Sequence, residues 1–247
     1  MTKTALVTGA GARLGKALAL AFAADGYAVA VHYNASKAPA EAVVQEIEAK
    51  GGQAVALQQD LNDVANAGAL VDRAIERLGP LSLLANSASY FAPDRLANLD
   101  LESWRALTDV NGAAPVMLMQ AFAKQPDLPD GASILNMLDV QTPQPNPAFF
   151  SYFCGKAILE MATRLAALEL APRVRVNGIA PGLVLRSGDQ TDASFARRQE
   201  ETPLGGGLGA KDIVEAARYL IGAGHVTGQV LAVDSGQALY GFGNFRL

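Results

Sequence analysis

The sequence predicts an α/β protein built on a doubly wound, seven-stranded parallel sheet with helices on both faces. Three observations predict it. Short β-branched runs alternate with longer stretches of helical period along the 247 residues, the pattern of strands joined by crossover helices. The strand runs are apolar nearly throughout, as in strands covered on both faces. A glycine-rich turn follows the first run directly, where an open sheet of this kind takes its ligand. No long linker, internal repeat or low-complexity tract divides the chain, so residues 1–247 read as one domain.

In chain order, residues 4–7 (Thr-Ala-Leu-Val) form the first strand and residues 14–25 a helix of apolar period. Residues 27–32 are the second strand, with Val29 and Val31, followed by a helix over 38–50. The third strand, 54–57, leads into a helix over 62–77, and the fourth, 81–85, into one long helix over 101–123. Residues 134–137 (Ile-Leu-Asn-Met) are the fifth strand and 152–170 the next helix. The sixth strand spans 174–179, a helix 211–221, and Val-Leu-Ala-Val at 230–233 closes the sheet. Two stretches read as irregular: 141–147, with three prolines, and 185–209, polar and then glycine-rich. Loops at strand ends are where ligands usually bind.

The formal charge is −4 with no block of like charge, which argues against nucleic acid or an anionic membrane surface as partner. No apolar run approaches the roughly 18 residues of a membrane span. Met1-Thr2-Lys3-Thr4 runs into the first strand without a signal-peptide layout. Cys154 is the only cysteine, so no intrachain disulfide can form, and a reducing, cytoplasmic setting is expected. No metal site is expected.

After the first strand comes Thr8-Gly9-Ala10-Gly11-Ala12-Arg13-Leu14-Gly15. Glycines there let the backbone turn sharply and approach a pyrophosphate seated at the helix N-terminus. The spacing is one residue longer than G-x-G-x-x-G, and its position marks a dinucleotide site. After the second strand stands His32-Tyr33-Asn34-Ala35-Ser36-Lys37, without the carboxylate that usually bonds the ribose 2′-OH of NAD. Ser36, Lys37 and backbone N–H groups could instead bond a 2′-phosphate, so NADPH is expected over NADH; the plainer reading of Ser36 is a helix cap. Tyr152 and Lys156 stand four apart on one helix face. A free tyrosine has a pKa of about 10, and a nearby ammonium would bring it into use as an acid–base group.

These motifs, with Asn86-Ser87-Ala88-Ser89, Asn111, Pro181-Gly182 and Asp60-Leu61, resemble in order the signature set of the short-chain dehydrogenase/reductase family. Val226-Thr227-Gly228-Gln229 and Val233-Asp234-Ser235-Gly236 resemble its C-terminal end. The resemblance covers nearly the whole chain and implies a Rossmann fold, with Tyr152 as proton donor. Lys156 would lower its pKa and bond the nicotinamide ribose, while Asn111 would hold a water in the proton relay. Asp60 and Leu61 would meet the adenine, and the segments at 86–89 and 181–182 would line the cofactor. A homotetramer is also implied, and the tail 241–247, with Phe242 and Phe245, is expected at a subunit interface.

Three departures resemble one branch, the pteridine reductases, including dihydromonapterin reductase-like enzymes. Arg13 stands where most members have glycine, Asp139 where they have the catalytic serine, and Asn86-Ser87-Ala88-Ser89 where Asn-Asn-Ala-Gly is usual. His32-Tyr33-x-x-Ser36 and Phe91 fit the same branch. By that resemblance Phe91 stacks on a pterin, Asp139 works with Tyr152 in acid catalysis, Arg13 lies between pyrophosphate and pterin, and Ser89 bonds cofactor and substrate. Ala35 lacks the basic side chain often seen in the branch, and Ser87 replaces an asparagine. The chemistry agrees independently: an unpaired carboxylate beside a buried strand is costly, and a pterin offers ring N–H and amino donors to Asp139. The alternatives are a surface salt bridge for Arg13, a helix cap for Asp139 and a core position for Phe91. The competing functions are reduction of a ketone or 3-oxoacyl group and a non-catalytic NADPH-binding sensor. A carboxylate at 139 argues against the first by repelling a developing alkoxide, and the intact Asn111, Tyr152 and Lys156 argue against the second.

Overall fold

In the computed structural model, which describes residues 3–186 and 190–240, seven parallel strands pair in the order β3-β2-β1-β4-β5-β6-β7. They are β1 (Lys3–Val7), β2 (Tyr27–Tyr33), β3 (Ala54–Gln58), β4 (Leu83–Asn86), β5 (Ala132–Met137), β6 (Val174–Pro181) and β7 (Val230–Val233). After β1 the chain winds one way through β2 and β3, then returns to lay β4 on the other side of β1. The carboxyl ends of β1 and β4 therefore flank the crevice where the winding reverses, which is where an open α/β sheet binds ligands.

Alternation along each strand feeds two apolar layers. Ala5, Val7, Val29 and Val31 pack against α1 (Arg13–Ala24), α2 (Lys37–Ala49) and α8 (Ala210–Gly222), around Leu18, Phe22 and Ile213. Leu6, Leu84, Ile134 and Val176 face the opposite layer of α3 (Ala69–Leu78), α5 (Ala114–Lys124) and α6 (Phe150–Leu170), around Leu70, Leu118 and Phe122. Each Val, Leu, Ile or Phe among them stabilises the fold by about 1.5–3 kcal/mol relative to exposure. All seven strands expected from sequence are present, with ends within two residues of those expected.

Three helical segments differ from expectation. The long helix over 101–123 is α4 (Leu101–Thr108), a π-helical turn at Asp109–Ala113 and then α5. Pro115 in the first turn of α5 has no N–H to give the carbonyl of Asn111, so the α-helical ladder cannot run through. The helix over 62–77 opens instead as a 3₁₀ turn, Val64–Asn66, before α3. Inside the stretch read as irregular, α7 (Asp192–Glu200) forms, with the Thr191 hydroxyl accepting the Ser194 N–H at 3.2 Å. The last helix among the described residues, α9, spans Gln237–Tyr240.

Candidate active site

The glycine loop is shaped by close approach. Gly9 has φ +64°, and a Cβ there would lie 2.8 Å from the Ala88 Cα; a Cβ on Gly15 would strike the carbonyl of Gly9. The Thr8 hydroxyl accepts the N–H groups of Ser87 and Ala88, each at 2.9 Å, tying the end of β4 to the loop after β1. Gly11 packs against Ala40 of α2. Arg13 opens α1 with φ 52°, a left-handed conformation that a side chain makes costly by about 1–2 kcal/mol. The residue before it, Ala12, offers no side-chain cap, and the first turn holds no acidic residue. The first-turn N–H groups of Arg13, Leu14 and Gly15 thus face the crevice entrance without a side-chain acceptor, a donor set that fits a pyrophosphate.

His32 stands behind this loop, only 1% exposed. Its Nδ1 accepts the Gly9 N–H at 3.0 Å, and its Nε2 lies 3.0 Å from the Gln59 carbonyl, so the neutral ring with Nε2 protonated serves both. Burial pushes its pKa down to about 4, and the Gln59 bond only partly offsets this. The ring braces the loop rather than presenting an edge to a ligand, which refines the expectation for His32. Asn34, Ser36 and Lys37 are exposed past β2. Ser36 occupies the N-cap position of α2 but makes no cap bond, so its hydroxyl stays available. Tyr33 is half-buried and Leu61 buried, while exposed Asp60 accepts the Asn62 backbone N–H at 2.9 Å through Oδ1.

Across the crevice, Tyr152 Oη donates to Asp139 Oδ2 at 2.8 Å. The other carboxylate oxygen, Oδ1, accepts the Gln141 N–H at 2.8 Å. Asp139 therefore organises the turn after β5 and grips Tyr152; it caps no helix. Burial pushes its carboxyl up, against the pull of these two bonds and of Lys156. Burial also drives the Tyr152 hydroxyl well above 10, and the charge and hydrogen bond of Asp139 add to it, opposed by a bond from Ser89. Lys156, buried, is brought down to about 8 by desolvation. Its Nζ donates to the Met137 carbonyl at 2.8 Å and lies 5.7 Å from the Tyr152 ring centroid. In this arrangement the ammonium is turned to a strand carbonyl and a carboxylate holds the phenol, so burial and Asp139 set the direction of the Tyr152 hydroxyl.

Asn111 lies on the π turn, fully buried. Its amide donates to the carbonyls of Tyr90 (2.7 Å) and Leu107 (2.9 Å), and its Oδ1 accepts the Ser89 hydroxyl at 2.8 Å. Both amide N–H donors are committed, and Oδ1 keeps one lone pair beyond the Ser89 bond. Asn86 is buried as well, donating to Asn136 Oδ1 at 2.8 Å, and Asn136 donates to Thr163 of α6 at 2.8 Å. At the end of β6, Pro181 and Gly182 pass close to the turn after β7: a Cβ on Gly182 would lie 2.7 Å from the Asp234 Cα. Val140 donates to the Pro181 carbonyl at 3.3 Å, joining this turn to that of Asp139.

Phe91 is 46% exposed, so it is not a core residue. Its ring stacks on Phe149 (centroids 4.4 Å, planes 17° apart) and meets Tyr152 edge-on at 4.7 Å. Arg13 makes no salt bridge with a described residue; its Nη1 donates to the Arg186 carbonyl at 2.9 Å, joining the glycine loop to the loop after β6. Sequence reading missed Phe149, whose one signal is an aromatic three residues before Tyr152. It missed Arg186 too, which nothing local distinguishes. Among the described residues no group of three or more His, Cys, Asp or Glu could hold a metal. None of their helices is long and apolar enough to cross a membrane.

A family model for short chain dehydrogenases matches residues 3–196. The crystal structure of alternative dihydrofolate reductase 1 from Brucella canis, complexed with NADP, superposes with a TM-score of 0.91 at 37% identity, covering 96% of this chain and 94% of that one. An uncharacterized oxidoreductase of Methylorubrum extorquens is 36% identical over 242 residues, 95% of this chain and 97% of its own. The 3-oxoacyl-[acyl-carrier-protein] reductase of Staphylococcus aureus is 34% identical over 243 residues, 96% of this chain and 98% of its own.

Proposed function

Because the chain belongs to the short-chain dehydrogenase family, we propose that it is an NADPH-dependent reductase whose substrate is a dihydropteridine. The observation that carries this reading is the carboxylate at 139, bonded to the Tyr152 hydroxyl beside the exposed ring of Phe91. Bound NADPH would supply the hydride, which adds to a ring C=N carbon. The first turn of α1 with Gly9 and Gly11 holds its pyrophosphate, while Asn34, Ser36 and Lys37 offer donors and no carboxylate to a 2′-phosphate. Asp139 accepts from ring N–H and amino donors, Phe91 stacks on the ring, and Tyr152 gives the proton to the ring nitrogen. With its carboxyl pushed up by burial, Asp139 can hold the proton that follows. Lys156 keeps a positive charge beneath the tyrosine. The similarity to an NADP-bound dihydrofolate reductase structure supports the reading.

The test is purified protein with NADPH and dihydrobiopterin, followed by NADPH absorbance, with NADH run beside it. Turnover with NADPH above that with NADH is expected; no turnover of the pterin rejects the reading. The second reading, reduction of a 3-oxoacyl thioester, is favoured by the relative from S. aureus and is tested in the same assay. It requires a donor to the developing alkoxide at position 139, where this chain has a carboxylate.

The expected homotetramer has support on α6. Ile158, Met161, Leu165 and Leu168 form an exposed apolar stripe on the helix whose other face carries Tyr152 and Lys156. Stripes of this kind mark contact surfaces. The tail residues Phe242 and Phe245 lie outside the described residues.

A further inference from the structure

Residues 90–94 carry Phe91 past the end of β4, and the segment is held at both ends. At one end the Tyr90 carbonyl accepts from Asn111 at 2.7 Å. At the other, Asp94 meets the start of α6 three times. Its N–H donates to the Ala148 carbonyl at 3.0 Å, and its carbonyl accepts the Phe150 N–H at 3.4 Å. Its carboxylate accepts the Ser151 N–H, at 3.0 Å to Oδ1 and 3.4 Å to Oδ2. Helix α6 has no cap of its own: Phe149 stands at the N-cap with no side-chain bond, and no acid lies in the first turn. The acceptor that a helix start requires therefore comes from 57 residues away in sequence.

Between these ties sit the rings. Phe91 stacks on Phe149, the residue that pairs with Asp94 in an isolated parallel bridge, and meets Tyr152 edge-on. We infer that Asp94 is a positioning residue for substrate recognition, stapling the segment that bears Phe91 to the first turn of the helix that bears Tyr152. The staple fixes the spacing between the stacking ring and the proton-donating hydroxyl, which neither element sets alone. Nothing in the arrangement brings Asp94 to the reacting atoms. It acts through Phe91 and the helix start, and this role rests on the pteridine reading.

The test compares Asp94→Ala and Asp94→Asn in the full chain. Asparagine keeps an acceptor oxygen for Ser151; alanine does not. Asp94→Ala is expected to raise KM for dihydrobiopterin about tenfold, the scale of a lost hydrogen bond from a charged group. Its kcat should fall by less than about threefold and its NADPH affinity stay unchanged, while Asp94→Asn stays within about threefold of the native KM. Hydrogen exchange at the Phe150 and Ser151 amides should quicken in Asp94→Ala and not in Asp94→Asn. An unchanged KM in Asp94→Ala overturns the inference, and so does a loss of NADPH affinity equal to the rise in KM. If alanine prevents folding, Asp94→Leu, which keeps the branched shape without an acceptor, is read the same way. Native protein inert toward dihydrobiopterin would refute the pteridine reading alone; exchange then decides the staple, and unchanged exchange in Asp94→Ala overturns it.

Discussion

Tyr152 and Asp139 hold one proton between them, and each partner depends on the other's state. With the phenol donating to a carboxylate that burial pushes up, protonation of Asp139 frees the Tyr152 hydroxyl to turn toward a substrate. Asp139→Ser is expected to lower kcat for a dihydropterin by about 10²-fold or more, the usual scale of a lost acid–base group, and to admit weak turnover of simple ketones. Pterin turnover equal to native in steady-state assays would leave Asp139 a purely structural role. Phe91→Ala should raise pterin KM about tenfold with NADPH affinity intact, as measured by titration, since stacking on a ring is worth roughly 1–3 kcal/mol. His32 gives a pH prediction of definite sign. Its folded pKa, about 4, lies below the unfolded value of 6.5, so the stability it contributes is full above pH 6.5 and lost as pH falls toward 4. The loss is about 3 kcal/mol, at 1.36 kcal/mol per unit. Melting temperatures between pH 7 and 4 should fall, and His32→Gln should flatten that slope. The Tyr152–Lys156 spacing was legible because a helix fixes which side chains share a face. The direction of Lys156 was not, because its partner, the Met137 carbonyl, is supplied by another element.

Helix α6 owes its place to small residues where it crosses the π turn. A Cβ on Gly155 would lie 3.0 Å from the Asn111 Cβ and from the Leu107 carbonyl, and one on Gly112 3.0 Å from the Gly155 carbonyl. The two glycines let the backbones bearing Asn111 and Tyr152 approach one another. Gly155→Ala should destabilise the fold by about 1–3 kcal/mol through overpacking and depress kcat more than NADPH binding. Calorimetry and single-turnover rates read the two effects separately; an unshifted melting temperature with full activity would dismiss the crossing as a constraint. The strands were legible because apolar runs are a local record of burial. The break in the 101–123 helix was written in Pro115, whose missing N–H outweighs the helical period around it. Helix α7 was also signalled, by Thr191 ahead of the acidic Asp192 of its first turn, but the polar composition of its stretch hid it. The staple at Asp94 and the Arg13–Arg186 bond had no local signature, since each joins segments far apart in sequence.

At the scale of the molecule, the sheet order gathers the glycine loop, the Asp139 turn and the Phe91 segment at one crevice, while α6 leaves its apolar stripe outside. Leu165→Glu with Leu168→Glu should break the proposed assembly, because carboxylates facing one another across that contact would be buried without partners. Light scattering should then give a smaller species that still binds NADPH; an unchanged mass would move the contact elsewhere. The stripe and the tyrosine sit on opposite sides of one 21-residue rod. In the proposed assembly a neighbour would grip this rod on its outer side and keep it from tilting within the crevice, so subunit contact and proton delivery would share a mechanical part. Mass action would then enter the chemistry of that assembly: at dilutions where subunits part, the rod would be held only from within, and turnover per chain would become a function of protein concentration.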